Sequence, residues 1–93
     1  MGFRLRRGEH VARYFLYLRD GTDEVLDPEG IEYGTVQALR NGVLTSARDL
    51  ICGDIAREGI VDLRYRIDAG DSGGNVVWSL PFGDAIDIVP GEG

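Results

Sequence analysis

Residues 13–19, Arg-Tyr-Phe-Leu-Tyr-Leu-Arg, are apolar without interruption between two arginines. As a strand, Tyr14, Leu16 and Leu18 share one face and Phe15 and Tyr17 the other. A run apolar on both sides and rich in aromatic residues predicts a central strand, covered on at least part of each face. Asp20-Gly21-Thr22-Asp23 has the chemistry of a hairpin turn, with Gly21 free to take positive φ. Residues 24–27 return as a short second strand. Asp27-Pro28-Glu29-Gly30 then places Asp at i, Pro at i+1 and Gly at i+3, the composition of a type I turn.

The pattern changes period after Thr35. At 100° per residue, Val36, Leu39, Val43, Leu44, Ala47, Leu50, Ile51 and Ile55 fall within one arc, a face wide enough to cover a sheet. Thr35 as N-cap and Gly59 as terminator predict one long helix from Val36 to about Glu58. Gly42 and Gly53 weaken it by about 1 kcal/mol each relative to Ala. Arg40 and Asp54 lie inside the apolar arc, too far apart to pair at roughly 21 Å along a helix. The preferred reading ends or frays the helix near Gly53 and frees Asp54; the alternative pairs Asp54 with Arg64 or Arg66. Cys52, the single cysteine, is expected to be a small buried hydrophobe.

Residues 60–68 alternate: Leu63, Tyr65 and Ile67 face one way, Asp62, Arg64, Arg66 and Asp68 the other. This predicts a strand with one buried and one wet face. Residues 69–75 form a loose loop, and 76–82 a fourth strand with Val76, Trp78, Leu80 and Phe82 on one face. Pro81 marks a strand end or a sheet edge. The order is β-β-α-β-β, an α+β fold of two hairpins in a four-stranded antiparallel sheet with the helix on one face. The other face is left poorly covered, with Phe15 and Tyr17 on it. A homodimer, formed over that face or along an edge strand, is the expected remedy.

Ninety-three residues make one domain. Residues 13–89 are expected to hold it, between a flexible basic arm at 1–12 and a frayed tail at 90–93. The net charge of −6 is uneven: residues 1–19 hold five Arg and one Glu, residues 20–93 five Arg and fifteen acids. An acidic body repels nucleic acid phosphates. No apolar run approaches the roughly 18 residues of a membrane span. The opening residues lack a signal-peptide core, which makes the cytoplasm the expected compartment.

From Arg13 onward the chain resembles a family of small bacterial proteins catalogued only as a domain of unknown function. The resemblance rests on RYFLYLRDG at 13–21, DPEG at 27–30, Ser46-Ala47-Arg48-Asp49-Leu50, and VVWSLPFGDAIDI at 76–88. Members commonly begin at or just before the RYF-like strand, which implies that residues 1–12 are an extension. The family implies no catalytic residue, cofactor or partner.

Among chemical motifs, Gly70-Asp71-Ser72-Gly73-Gly74 spells the surroundings of the nucleophilic serine in chymotrypsin-like proteases. That chemistry needs a base, an orienting carboxylate and an oxyanion hole, and two six-stranded barrels cannot be built from 93 residues. The only histidine, His10, lies in the arm, so a glycine-rich hairpin loop is the expected reading. The acids at 20, 23, 24, 27, 68 and 71 match no EF-hand spacing and read as turn-forming and solvating groups. No cofactor and no metal site is expected. Arg4, Arg6, Arg7, His10 and Arg13 form a basic patch. The function expected is a non-catalytic protein-binding module, self-associating, with Phe15, Tyr17, Arg4, Arg6 and Arg7 as interface candidates. A nucleic-acid-associated, antitoxin-like regulator using the arm is the alternative, and a minor hydrolase using Ser72 the third.

Overall fold

The computed structural model describes residues 12–21 and 23–91. The two-sided apolar run becomes β1 (Ala12–Arg19), the strand on which the others assemble. After a turn in which Gly21 and Asp23 take φ of 102° and 57°, β2 (Glu24–Val25) pairs back onto its second half, Tyr17 opposite Val25. The 27–30 turn closes with the Gly30 N–H donating to Asp27 O, and β3 (Ile31–Tyr33) then pairs with the first half of β1, Tyr14 opposite Ile31. Both share the flank of β1 that β4 (Arg66–Gly70) leaves open; β4 pairs along residues 15–19 of β1, and β5 (Val76–Pro81) pairs with β4. Every pairing is antiparallel.

Between β3 and β4, α1 (Val36–Glu58) starts where its cap predicts: the Ala38 N–H donates to Thr35 Oγ1 at 3.0 Å. Such a cap contributes about 1 kcal/mol. Gly59 ends it in the left-handed region at φ 69°, its N–H donating to Ile55 O. Leu39, Val43, Ala47 and Ile51 of α1 are buried against Leu16 and Leu18 of β1, Ile67 and Ala69 of β4, and Leu80 of β5. Phe82, in a short 3-10 turn over Phe82–Asp84, and Ala85 close this layer, and Arg48 Nε donates to Ala85 O at 2.8 Å, tying the segment to the helix. Each large side chain buried here is worth about 1.5–3 kcal/mol.

The fold is α+β with one helix against one face of an antiparallel sheet, and several details depart from the sequence reading. Among the described residues the sheet has five strands rather than four, because Ile31–Tyr33 pairs. The third expected strand starts six residues late, at Arg66. Asp62 causes the delay: its Oδ1 accepts from the Arg64 N–H at 3.0 Å, and its two oxygens accept from Arg64 Nε and Nη2. A side chain that bonds its own backbone draws the chain out of the ladder. The 60–65 alternation is therefore not strand, and Leu63 is 43% exposed. A register shift opposite Ala69/Gly70 sets Val76 against Gly70, so Val76 leaves the face of Trp78 and Leu80.

The helix neither ends nor breaks at Gly53; Asp54 stays in it and pairs with Arg57 at 2.8 Å, one turn on, rather than with Arg64 or Arg66. Cys52 is exposed, standing about 100° around the helix from buried Ile51. Val36, the first residue of the helix, and Ile55, in its last turn, are also exposed. The expectations for Arg4, Arg6, Arg7, His10 and the rest of the arm up to residue 11, and for residues 92–93 of the tail, lie outside the described residues.

Candidate functional site on the helix-free face

Pleating sends alternate residues to opposite faces, so the strands that deliver Leu16, Leu18, Ile67, Ala69 and Leu80 to the helix deliver a second set to the other side. Pairing aligns that set in rows. Tyr17 stands between Val25 and Asp68, with Ser79 beyond; Arg19 stands beside Arg66, with Pro81 beyond; Phe15 stands beside Gly70. Phe15 and Tyr17 are thus on the face that α1 does not cover.

At the middle of this face Asp68 is 3% exposed, although no helix lies over it. Its shield is made of its own partners. Oδ2 accepts from Arg19 Nε at 2.9 Å, and Oδ1 accepts from Arg66 Nε at 3.0 Å and from Ser79 Oγ at 2.6 Å. Arg19 also reaches Asp23 at 3.2 Å and lies 4.9 Å over the centre of the Tyr17 ring. Burial alone pushes the Asp68 carboxyl up. The hydrogen bonds from Ser79, Arg66 and Arg19 outweigh it and hold the group below the usual carboxylate range. The bond to Asp68 correspondingly raises the Arg19 guanidinium. The arginine stems cover the carboxylate while their heads stay partly wet.

The two aromatic rings lean over glycines, Phe15 over Gly30 at the end of the 27–30 turn and Tyr17 over Gly70 in β4. A Cβ at Gly30 would lie 2.8 Å from Phe15 Cε1, and one at Gly70 would lie 3.2 Å from Tyr17 Cε2. Glycine lets each ring lie down against the neighbouring backbone, which fixes its orientation. Around this rigid centre Val25, Val76 and Val77 are 42%, 51% and 47% exposed. The face is therefore a half-covered apolar strip of Phe15, Tyr17 and three valines, running beside the charge-balanced Asp68 cluster.

The other residues singled out by the sequence have structural roles. In the 71–75 loop, Asp71 Oδ1 accepts from the Gly73 and Asn75 N–H groups at 2.9 Å each, and the Asn75 bond is the main cause of a lowered Asp71 carboxyl. Ser72 is on the exposed tip of that loop. Asp27 accepts from the Glu29 N–H, and Asp23 pairs with Arg19. Asp62 is pulled down to about 2, first by the Arg64 side chain and then by the Arg64 N–H. Among the described residues, no group of three or more His, Cys, Asp or Glu is placed to hold a metal ion, and no helix is long and apolar enough to cross a membrane.

Each described arginine already has a partner. Arg13 bonds Glu32, Arg57 Asp54 and Arg64 Asp62; Arg19 and Arg66 share Asp68; Arg48 holds Ala85 O, and Arg40 lies 5.4 Å over Trp78. The sequence reading misses the Asp68 cluster because simple alternation assigns Asp68 to a wet face. The available signal is the central placement of β1, which makes its long neighbour an interior strand too.

No curated protein and no solved structure matches the chain. Residues 13–83, from Arg13 in β1 to Gly83 just beyond β5, match one family over more than half of the sequence, and the chain belongs to that family, described as a domain of unknown function (DUF6894).

Proposed function

We propose that this chain is a small, non-catalytic cytoplasmic module that acts by binding another protein through the helix-free face of its sheet. One observation carries the reading: Phe15, Tyr17, Val25, Val76 and Val77 form an apolar strip that no element of the described chain covers, on a backbone held rigid by the Asp68 cluster. Aromatic and aliphatic side chains fixed in place bind with little further loss of conformational freedom. The engagement of each described arginine favours a protein partner over a nucleic acid, since phosphate binding draws on cations free to meet it. Asp71, engaged by its own loop, supports reading Gly70–Gly74 as a turn rather than a nucleophile's setting.

The test is a comparative capture from the native host using wild-type protein and the Val25→Glu and Val76→Glu variants, with proteins identified by mass spectrometry and nucleic acid quantified in each eluate. The reading expects a protein captured by the wild type and lost with both variants, while melting temperatures stay within a few degrees. Equal capture by all three removes the face from consideration. Salt-sensitive nucleic acid in the eluates transfers the function to the alternative reading. Labelling of Ser72 by a fluorophosphonate probe would overturn the non-catalytic assignment.

A further inference from the structure

The two edges of the sheet differ in charge and in backbone. The β2/β3 edge is lined by Asp23, Glu24, Asp27, Glu29 and Glu32. On a chain of net charge −6, a second copy approaching that edge meets like charge. The β5 edge, Val-Val-Trp-Ser-Leu-Pro, carries no charged residue, and β5 has a strand on one side only among the described residues. It lacks the charges with which edge strands ordinarily discourage pairing.

The hydrogen-bond phase of β5 follows from one contact. The Phe82 N–H, one residue beyond β5, donates to Tyr65 O at 2.9 Å, one residue before β4, and so continues the β4/β5 ladder by one bond. Antiparallel pairing alternates, so residues 78, 80 and 82 direct their N–H and C=O groups inward, and Val77, Ser79 and Pro81 direct theirs outward. Pro81 has no N–H to offer, and the register shift beside Val76 ends regular pairing at the other side. The usable edge is therefore Val77 to Ser79, centred on Trp78.

That short edge is self-complementary. Laid antiparallel against a copy of itself about a two-fold axis at Trp78, it pairs Val77 with the copy's Ser79 and Ser79 with the copy's Val77. Each pair exchanges two backbone hydrogen bonds, and the two Trp78 side chains stand opposite one another on the helix side.

We propose that the protein is a homodimer joined through β5, in which two sheets become one continuous sheet with both helices on the same side. The acidic β2/β3 edges then lie outermost and stop further growth, so the assembly closes at two. The two helix-free faces become one surface of doubled length. The dimer does not depend on what that surface binds, so it stands or falls separately from the function proposed above.

Sedimentation velocity on the full chain at about 50 µM is expected to give the mass of a dimer. Val77→Pro removes one outward N–H per copy and no inward bond, so it should raise the dissociation constant roughly 30-fold while leaving the far-ultraviolet circular dichroism unchanged. Trp78→Cys in a Cys52→Ser background tests the register: the pair at the axis should lie about 4.5 Å apart at Cα, within reach of a disulfide. Oxidation should then yield a covalent dimer. Monomer mass for the wild type, oligomers beyond two, a folded Val77→Pro variant that dimerises unchanged, or failure of the Trp78→Cys variant to cross-link would each overturn the assignment.

Discussion

On the helix side of the sheet, among the described residues, eleven apolar side chains are buried and none carries a charge. On the opposite side the one deeply buried side chain among the described residues is a carboxylate, Asp68, roofed by Arg19 and Arg66. The first side is held by area removed from water, which is non-directional and answers to volume. The second is held by a few hydrogen bonds of fixed direction, and it leaves its aromatic and valine side chains partly exposed. With α1 on one side only, the described residues thus stabilise both faces of the sheet without closing both. The partial roof leaves a surface available for contact.

The contrast makes its largest demand on the helix side. Phe82 is fully buried and also anchors the 3-10 turn. Phe82→Ala should cost about 3–5 kcal/mol, and in a domain of this size each kcal/mol lowers the melting temperature by about 4–8 °C. A loss below about 1 kcal/mol in urea titration would remove the difference between the faces.

On the other side, Asp68→Asn keeps the shape and deletes the charge. Because both arginine heads reach solvent, the expected cost is about 2–3 kcal/mol at neutral pH, below that of a fully buried pair. The pH dependence gives the sign. The folded-state carboxyl lies lower than the unfolded one. Its contribution is therefore complete above the unfolded value of about 3.9 and is lost as pH falls through the folded value. Wild type and variant should converge in stability as pH falls below the unfolded value and on through the lower folded one. A gap that stays constant through that window would show that the ionised carboxylate does not hold the face together.

The smallest effects separate two glycines of α1. A Cβ at Gly42 would collide with the Tyr33 phenol, whereas one at Gly53 would meet only the mobile guanidinium end of Arg57, at 3.0 Å. Gly53→Ala should stabilise by about 0.5–1 kcal/mol through helix propensity. Gly42→Ala should instead destabilise by about 1–2 kcal/mol, the collision exceeding the same gain. Equal and favourable shifts in thermal melts would mean that Tyr33 does not press on the helix.

What can be read in the sequence is whatever depends on period and punctuation. Thr35 and Gly59 bracket the helix because capping chemistry is local, and the double apolar pattern of residues 13–19 announces a central strand because few other arrangements cover both its sides. The errors share a cause of another kind. Ile31–Tyr33 is too short for alternation to register, and it becomes a strand only because β1 offers it a partner. Residues 60–65 alternate like a strand, but the Asp62 side chain competes for the backbone. Residue type sends Cys52 inward, whereas its angular position beside Ile51 points outward. The Asp68 cluster joins residues 49 positions apart in sequence, so no local pattern contains it. The family match fixes kinship without chemistry, and the candidate face is legible only as the side the helix leaves bare.

The separation between β1 and β4 has a consequence for how this chain is made. During synthesis β1 is made next to β2 and β3, yet its main partner is encoded only at residues 66–70 and the outer strand at 76–81. Until then the apolar faces of the central strand have no lasting cover, and α1 has no complete sheet to settle on. A chain cut short before residue 66 is therefore a sticky, unfinished fragment, and it is residues 66–85 that turn it into a domain.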